Sequence, residues 1–200
     1  MPAGRHLIRL RIELLGPRPP IWRRIEIRAD VTFWALHVAL QNAMGWTDSH
    51  LHDFELPSTD AGPPTWIGMP DFEGDDDREI HVEQDERLDV WIHHAGERFF
   101  YNYDYGDDWR HEIKVEAIEP ASTGTRYPRC LAGERACPPE DVGGPLGYEG
   151  FLEALLDPSH PEHEANRRWL GTEFDPDRFD PAQVRFESPA RRRREVYGLV

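Results

Sequence analysis

The sequence predicts an α+β fold: a single domain in which an antiparallel β-sheet with hairpins packs against one N-terminal helix and is followed by a helical C-terminal third. Three observations predict it. Several segments alternate apolar and polar residues with a period of two. One segment, 33–44, carries helix punctuation at both ends. After Gly147 the chain reads as short helices separated by Pro and Gly.

Leu7 to Glu13 alternates cleanly, with Ile8, Leu10, Ile12 and Leu14 on one face and Arg9, Arg11 and Glu13 on the other, as a half-buried strand requires. Gly16-Pro17-Arg18-Pro19-Pro20 cannot continue a ladder and must turn, so Ile21, Ile25 and Ile27 return as the second arm of a hairpin. Thr32 is a good N-cap for a helix over 33–44, whose apolar face is Phe33, Leu36, Leu40, Ala43 and Met44, and Gly45 stands where a left-handed C-cap belongs. His50 to Leu56 reads as a strand with His50, His52, Phe54 and Leu56 on one face. Residues 57–78, rich in Pro and Gly and ending in three aspartates, read as an acidic loop insertion. Leu88, Val90 and Ile92 read as a strand. Arg98 to Tyr105 follows as another, and Gly106-Asp107-Asp108 turns it into Trp109 to Ile118. Tyr127 to Gly147 reads as a structured loop. Helices follow around Tyr148–Leu155 and from Pro161 to Gly171.

The charge pattern bounds the partners. The net charge of −15 conceals +4 in residues 1–30, +3 in residues 191–200 and −22 between them. Such a body repels nucleic-acid phosphate, which leaves the Arg191–Arg194 run as the one segment suited to nucleic acid. The 22 aromatic residues are too many for a disordered acidic chain, and no window resembles a membrane span or a signal peptide. The expectation is a soluble cytoplasmic protein, with residues 1–188 forming the domain and 189–200 an Arg-rich tail.

Several segments carry candidate chemistry. Tyr103-Asp104-Tyr105-Gly106-Asp107-Asp108-Trp109-Arg110-His111 crowds three carboxylates and an imidazole at one turn, a donor set suited to Zn or Mn; it is equally ordinary turn chemistry, with His111 donating to a backbone carbonyl in the core. His50 and His52, spaced as His-x-His on a strand, would point to one face and become a metal site if they converge with His111 and an aspartate from the turn. Cys130 and Cys137 are spaced too widely for a zinc knuckle and read as reduced small hydrophobes, a local bridge or soft ligands, with Cys137 also a possible nucleophile beside a remote His. Glu140 and Asp141 lie in a Pro/Gly-rich loop and read as ligands, as a general base, or as caps for the following helix. Trp46, Tyr101, Tyr103 and Trp109 would line a groove for a protein, peptide or small-molecule ligand.

Taken together, Gly16-Pro17-Arg18-Pro19-Pro20-Ile21-Trp22, Met44-Gly45-Trp46-Thr47-Asp48-Ser49-His50-Leu51-His52-Asp53-Phe54, Tyr103 to His111, Cys137 to Tyr148 and Phe174-Asp175-Pro176 resemble the plasmid pRiA4b ORF-3-like family, in the family's order over about residues 5–185. The resemblance implies a single α+β domain often linked to plasmids or mobile elements. It transfers no catalytic residue. The residues themselves favour a binding module with an aromatic-lined acidic groove, with a metal-dependent hydrolase using a His/Asp cluster as the alternative; the resemblance adds, least favoured by the acidic body, a resolvase-like protein acting on DNA.

Overall fold

The computed structural model describes residues 6–58, 62–69 and 79–198. Alternation makes β1 (His6–Leu14) and β2 (Ile21–Arg28), an antiparallel hairpin in register from Leu7↔Arg28 to Leu14↔Ile21. Ile8, Leu10, Ile12 and Leu14 are all buried, each such side chain contributing about 1.5–3 kcal/mol by leaving water. The opposite face is held by charge: Glu26, itself buried, accepts from Arg9 and Arg129, and the Arg24 guanidinium donates to both carboxylate oxygens of Glu116.

Helix α1 (Phe33–Met44) begins at Thr32, whose hydroxyl accepts from the Ala35 amide, and ends at Gly45 with φ +103°. Its Phe33, Leu36 and Leu40 join the core formed by the sheet. The chain continues through β3 (His52–Leu56), β4 (Thr65–Gly68), β5 (Ile80–Val82), the single helical turn α2 (Leu88–Trp91), β6 (Arg98–Tyr103), β7 (Trp109–Pro120) and β8 (Arg129–Glu134). The eight strands form one sheet in the order β5-β4-β3-β6-β7-β1-β2-β8, antiparallel except for β4–β5. Helices α3 (Gly144–Leu156), α4 (His163–Leu170) and α5 (Pro189–Val196) complete the fold, which is α+β and single-domain as expected. Among the described residues no helix is long and apolar enough to cross a membrane.

Four segments differ from the sequence reading. Leu88 and Val90 lie in α2, capped by Ile92, rather than in a strand: Leu88 and Ile92 share a face in either period, but helical spacing turns Val90 out to solvent where alternation would have buried it. The stretch 127–147 contains an edge strand, β8, on β2. Inside 57–78, Thr65–Gly68 pairs with β3; of the same stretch, residues 59–61 and 70–78 lie outside the described residues. The Arg-rich end is a helix docked on α1. The Trp34 indole N–H donates to the Pro189 carbonyl, and Arg192 donates to the Thr47 carbonyl.

Candidate metal centre

The register of the sheet sets the start of β3 beside the end of β6 and the start of β7, since His52 pairs with Tyr103 and Tyr103 with Trp109. Three loops meet there. The loop entering β3 supplies His50, the β6–β7 turn supplies Asp104, and the segment between β8 and α3 supplies Glu140 and Asp141. Asp104 and Asp141 both adopt the left-handed conformation, φ +57° each, which aspartate tolerates better than most residues. Asp104 Oδ1 accepts from the Gly106 and Asp107 amides at 3.0 and 3.3 Å, which fixes the turn and leaves Oδ2 facing His50.

His50 Nε2 lies 3.0 Å from Asp141 Oδ1, 3.5 Å from Asp104 Oδ2 and 3.9 Å from Glu140 Oε2. Although shielded from solvent, this nitrogen makes no well-directed hydrogen bond. Metal–ligand bonds of about 2.0–2.2 Å put the edge of a tetrahedral site at roughly 3.3–3.6 Å, close to the two shorter separations. His50 is partly exposed and Asp141 largely so, which leaves the outer side open. Among the described residues, His50, Asp104 and Asp141 bring their ligand atoms within 4.8 Å of one another.

The loops are pinned from behind. Glu140 Oε1 accepts from the Thr47 amide at 2.8 Å and from the Tyr103 hydroxyl at 3.1 Å, and that hydroxyl in turn accepts from the Ser49 amide. Burial pushes the Tyr103 phenol above its usual range, so it stays protonated and donates. The Trp46 indole donates to the Pro138 carbonyl at 2.9 Å, and Asp107 Oδ2 accepts from the Gly143 amide at 3.0 Å.

The other sequence candidates fall elsewhere. Trp46, Tyr101, Tyr103 and Trp109 are buried, so they do not line a groove: inward-facing strand positions and the Trp46–Tyr103 stack at 4.9 Å make them the wall behind the site. His111 does not converge with His50 and His52. It is buried on β7, its Nδ1–H donating to the Tyr101 carbonyl, and desolvation lowers its pKa to about 4. Asp108 is exposed, and Asp107 serves the Gly143 contact. Cys130 and Cys137 are free thiols, and burial pushes Cys137 up, the reverse of what an activated nucleophile needs.

His50 and His52 also part company, because β3 begins at His52 and the irregular residues before it turn His50 away. His52 instead joins a second, buried cluster that sequence reasoning missed. Its ring stacks on His37 of α1 with centroids 3.4 Å apart and planes 6° from parallel. His37 Nε2 meets Asp48 Oδ1 at 2.8 Å, His37 Nδ1 meets the Tyr101 hydroxyl at 2.8 Å, and His52 Nε2 meets Glu83 Oε2 at 2.8 Å. Burial holds His37 neutral, well below the usual imidazole range, and raises Asp48 to about 6. One signal was available: His37 and Gln41, four apart on α1, are a polar pair flanking an apolar face.

A sequence profile of the plasmid pRiA4b ORF-3-like proteins matches residues 6–183. The chain belongs to this family. An uncharacterized protein of Sinorhizobium fredii, y4hQ, is 40% identical over 166 residues, covering 83% of this chain and 81% of that one. The crystal structure of MM3350, a protein of unknown function from Methanosarcina mazei Go1, aligns with a TM-score of 0.82 at 39% identity over 92% of this chain and 100% of that one. Thus both the fold and the family agree with the reading made from the motifs.

Proposed function

We propose that this chain is a divalent-metal protein of hydrolytic type, with Zn or Mn held by His50, Asp104 and Asp141. The observation that carries the reading is the His50 imidazole nitrogen, aimed among carboxylates from two other loops at near-coordination spacing and without a directed hydrogen bond. Three protein ligands with an open outer face leave room for a water, the arrangement of catalytic rather than structural zinc sites. Glu140 is the remaining carboxylate beside the ligands, fixed by Thr47 and Tyr103 and placed to take a proton from that water.

The test is metal analysis and thermal melting of the purified full chain. Zn or Mn at 100-fold over its dissociation constant stabilises a folded protein by about 2.7 kcal/mol. At roughly 2–4 °C per kcal/mol for a domain of this size, the midpoint should rise by about 5–11 °C. His50→Gln and Asp141→Asn should each lower the bound metal by one equivalent. Unchanged stoichiometry in both variants would discard the reading.

A further inference from the structure

In the buried cluster of His37, Asp48, His52 and Glu83 the two carboxylates are under-partnered. Asp48 and Glu83 are both nine-tenths or more buried, and each keeps one carboxylate oxygen, Asp48 Oδ2 and Glu83 Oε1, with no hydrogen-bond partner. A buried carboxylate left without a full set of partners is costly, and unpartnered atoms of this kind call for an unseen component.

We propose that His37, Asp48 and His52 form a second cation site, selective for a zinc-class ion, with Glu83 as its outer carboxylate. One ligand atom from each of the three lies within 4.8 Å of the others. Imidazole and carboxylate donors together suit zinc better than calcium or magnesium. Outer partners are already in place. Glu83 takes the His52 Nε2–H, which leaves Nδ1 to bind, and the Tyr101 hydroxyl, fixed by Gln41, orients His37 through its Nδ1. Binding requires the two rings to turn out of their parallel stack so that both lone pairs aim at one ion. A cavity of about 340 Å³ touching Asp48 and His52, bordered by Trp34, Met69 and Val196, gives the ion a route in.

The two sites share no ligand, and one set of titrations separates them. Zn²⁺ is titrated calorimetrically into the full chain and into Asp104→Asn, Asp48→Asn and Glu83→Gln. Expected are one tight equivalent surviving in Asp104→Asn and lost in Asp48→Asn, with Glu83→Gln weakening it about 10–100-fold. The same equivalent should shift the ring-nitrogen resonances of His37 and His52 in the unmutated protein, a readout that does not depend on Asp48→Asn folding. If the only equivalent bound is abolished by Asp104→Asn and the His37 and His52 resonances stay fixed, the buried site is refuted while the outer one stands. If the only equivalent bound by the full chain is lost in Asp48→Asn but kept in Asp104→Asn, the buried site stands and the outer one is refuted. Binding of no Zn²⁺ at all overturns both.

Discussion

Gly144 and Gly171 form a matched pair from which the cost of assembling the site can be measured. Both are left-handed, with φ +70° and +69°. They differ in surroundings: a Cβ on Gly144 would run into the backbone carbonyl of Asp107 in the β6–β7 turn, whereas one on Gly171 would meet nothing within 4 Å. Substituting alanine at either position incurs the left-handed penalty of about 1–2 kcal/mol. At Gly144 the overlap adds about 1–3 kcal/mol, because the obstacle is backbone and cannot swing aside as a side chain can. The difference between Gly144→Ala and Gly171→Ala should therefore be about 1–3 kcal/mol, or roughly 2–12 °C in melting temperature at 2–4 °C per kcal/mol. Thermal denaturation followed by circular dichroism measures it. Gly144→Ala should also weaken metal binding at His50, since it pushes the turn bearing Asp104 away from the loop bearing Asp141, and Gly171→Ala should not. Equal melting losses, with metal binding intact in both, would falsify the claim that close backbone approach ties these two loops together.

Three further outcomes are expected. Tyr103→Phe removes the donor to Glu140 and the acceptor of the Ser49 amide, so it should cost about 1–3 kcal/mol and reduce metal affinity; a denaturant melt and a Zn²⁺ titration check both parts. The Glu116 carboxylate, held below its ordinary value of 4.5 by its hydrogen bonds from Arg24, contributes stability that is complete above that value and is lost as pH falls through the depressed one. Melts from pH 7 to pH 3 should thus show a shallower acid decline in Glu116→Gln than in the parent, and identical slopes would contradict the assignment. Deleting residues 189–200 uncovers Trp34 and frees the Thr47 carbonyl, so tryptophan emission should shift to the red and the melting temperature should fall; an unchanged spectrum would mean that α5 does not dock in solution.

Much of the fold was legible because several elements obey one rule without competition. The β1–β2 hairpin has strict alternation and a proline-stiffened turn, and α1 has Thr32 and Gly45 at its ends. Leu88–Ile92 was ambiguous because residues four apart share a face in both periods. Strand β8 escaped notice because an edge strand with partly exposed residues, Cys130-Leu131-Ala132-Gly133, lacks an apolar stripe and is defined by its pairing with β2. At the site, His50, Asp104, Glu140 and Asp141 were named from their types and local spacing. Their convergence depends on sheet register, which relates residues about 90 apart, and no local pattern encodes that. The division of His50 from His52 turned on where β3 begins, a boundary of one or two residues. Tyr101 and Tyr103 lie in the core rather than along a groove, because strand alternation sends them inward.

The pairing of β1 with β7 has a consequence for synthesis. Strand β1 lies between β2, its neighbour in sequence, and β7, which begins at Trp109, about 80 residues beyond the end of β2 at Arg28. At roughly 5–20 residues per second, about 4–16 s separate the emergence of the first hairpin from that of the strand covering its free edge. Through that interval the hairpin offers an unpaired ladder, and the arginines of its charged face, Arg9 and Arg11 on β1 with Arg24 on β2, act as gatekeepers against pairing with a neighbouring nascent chain. Arg9 and Arg24 then go on to hold Glu26 and Glu116 once the sheet closes, so the same charges guard the edge early and fasten it late.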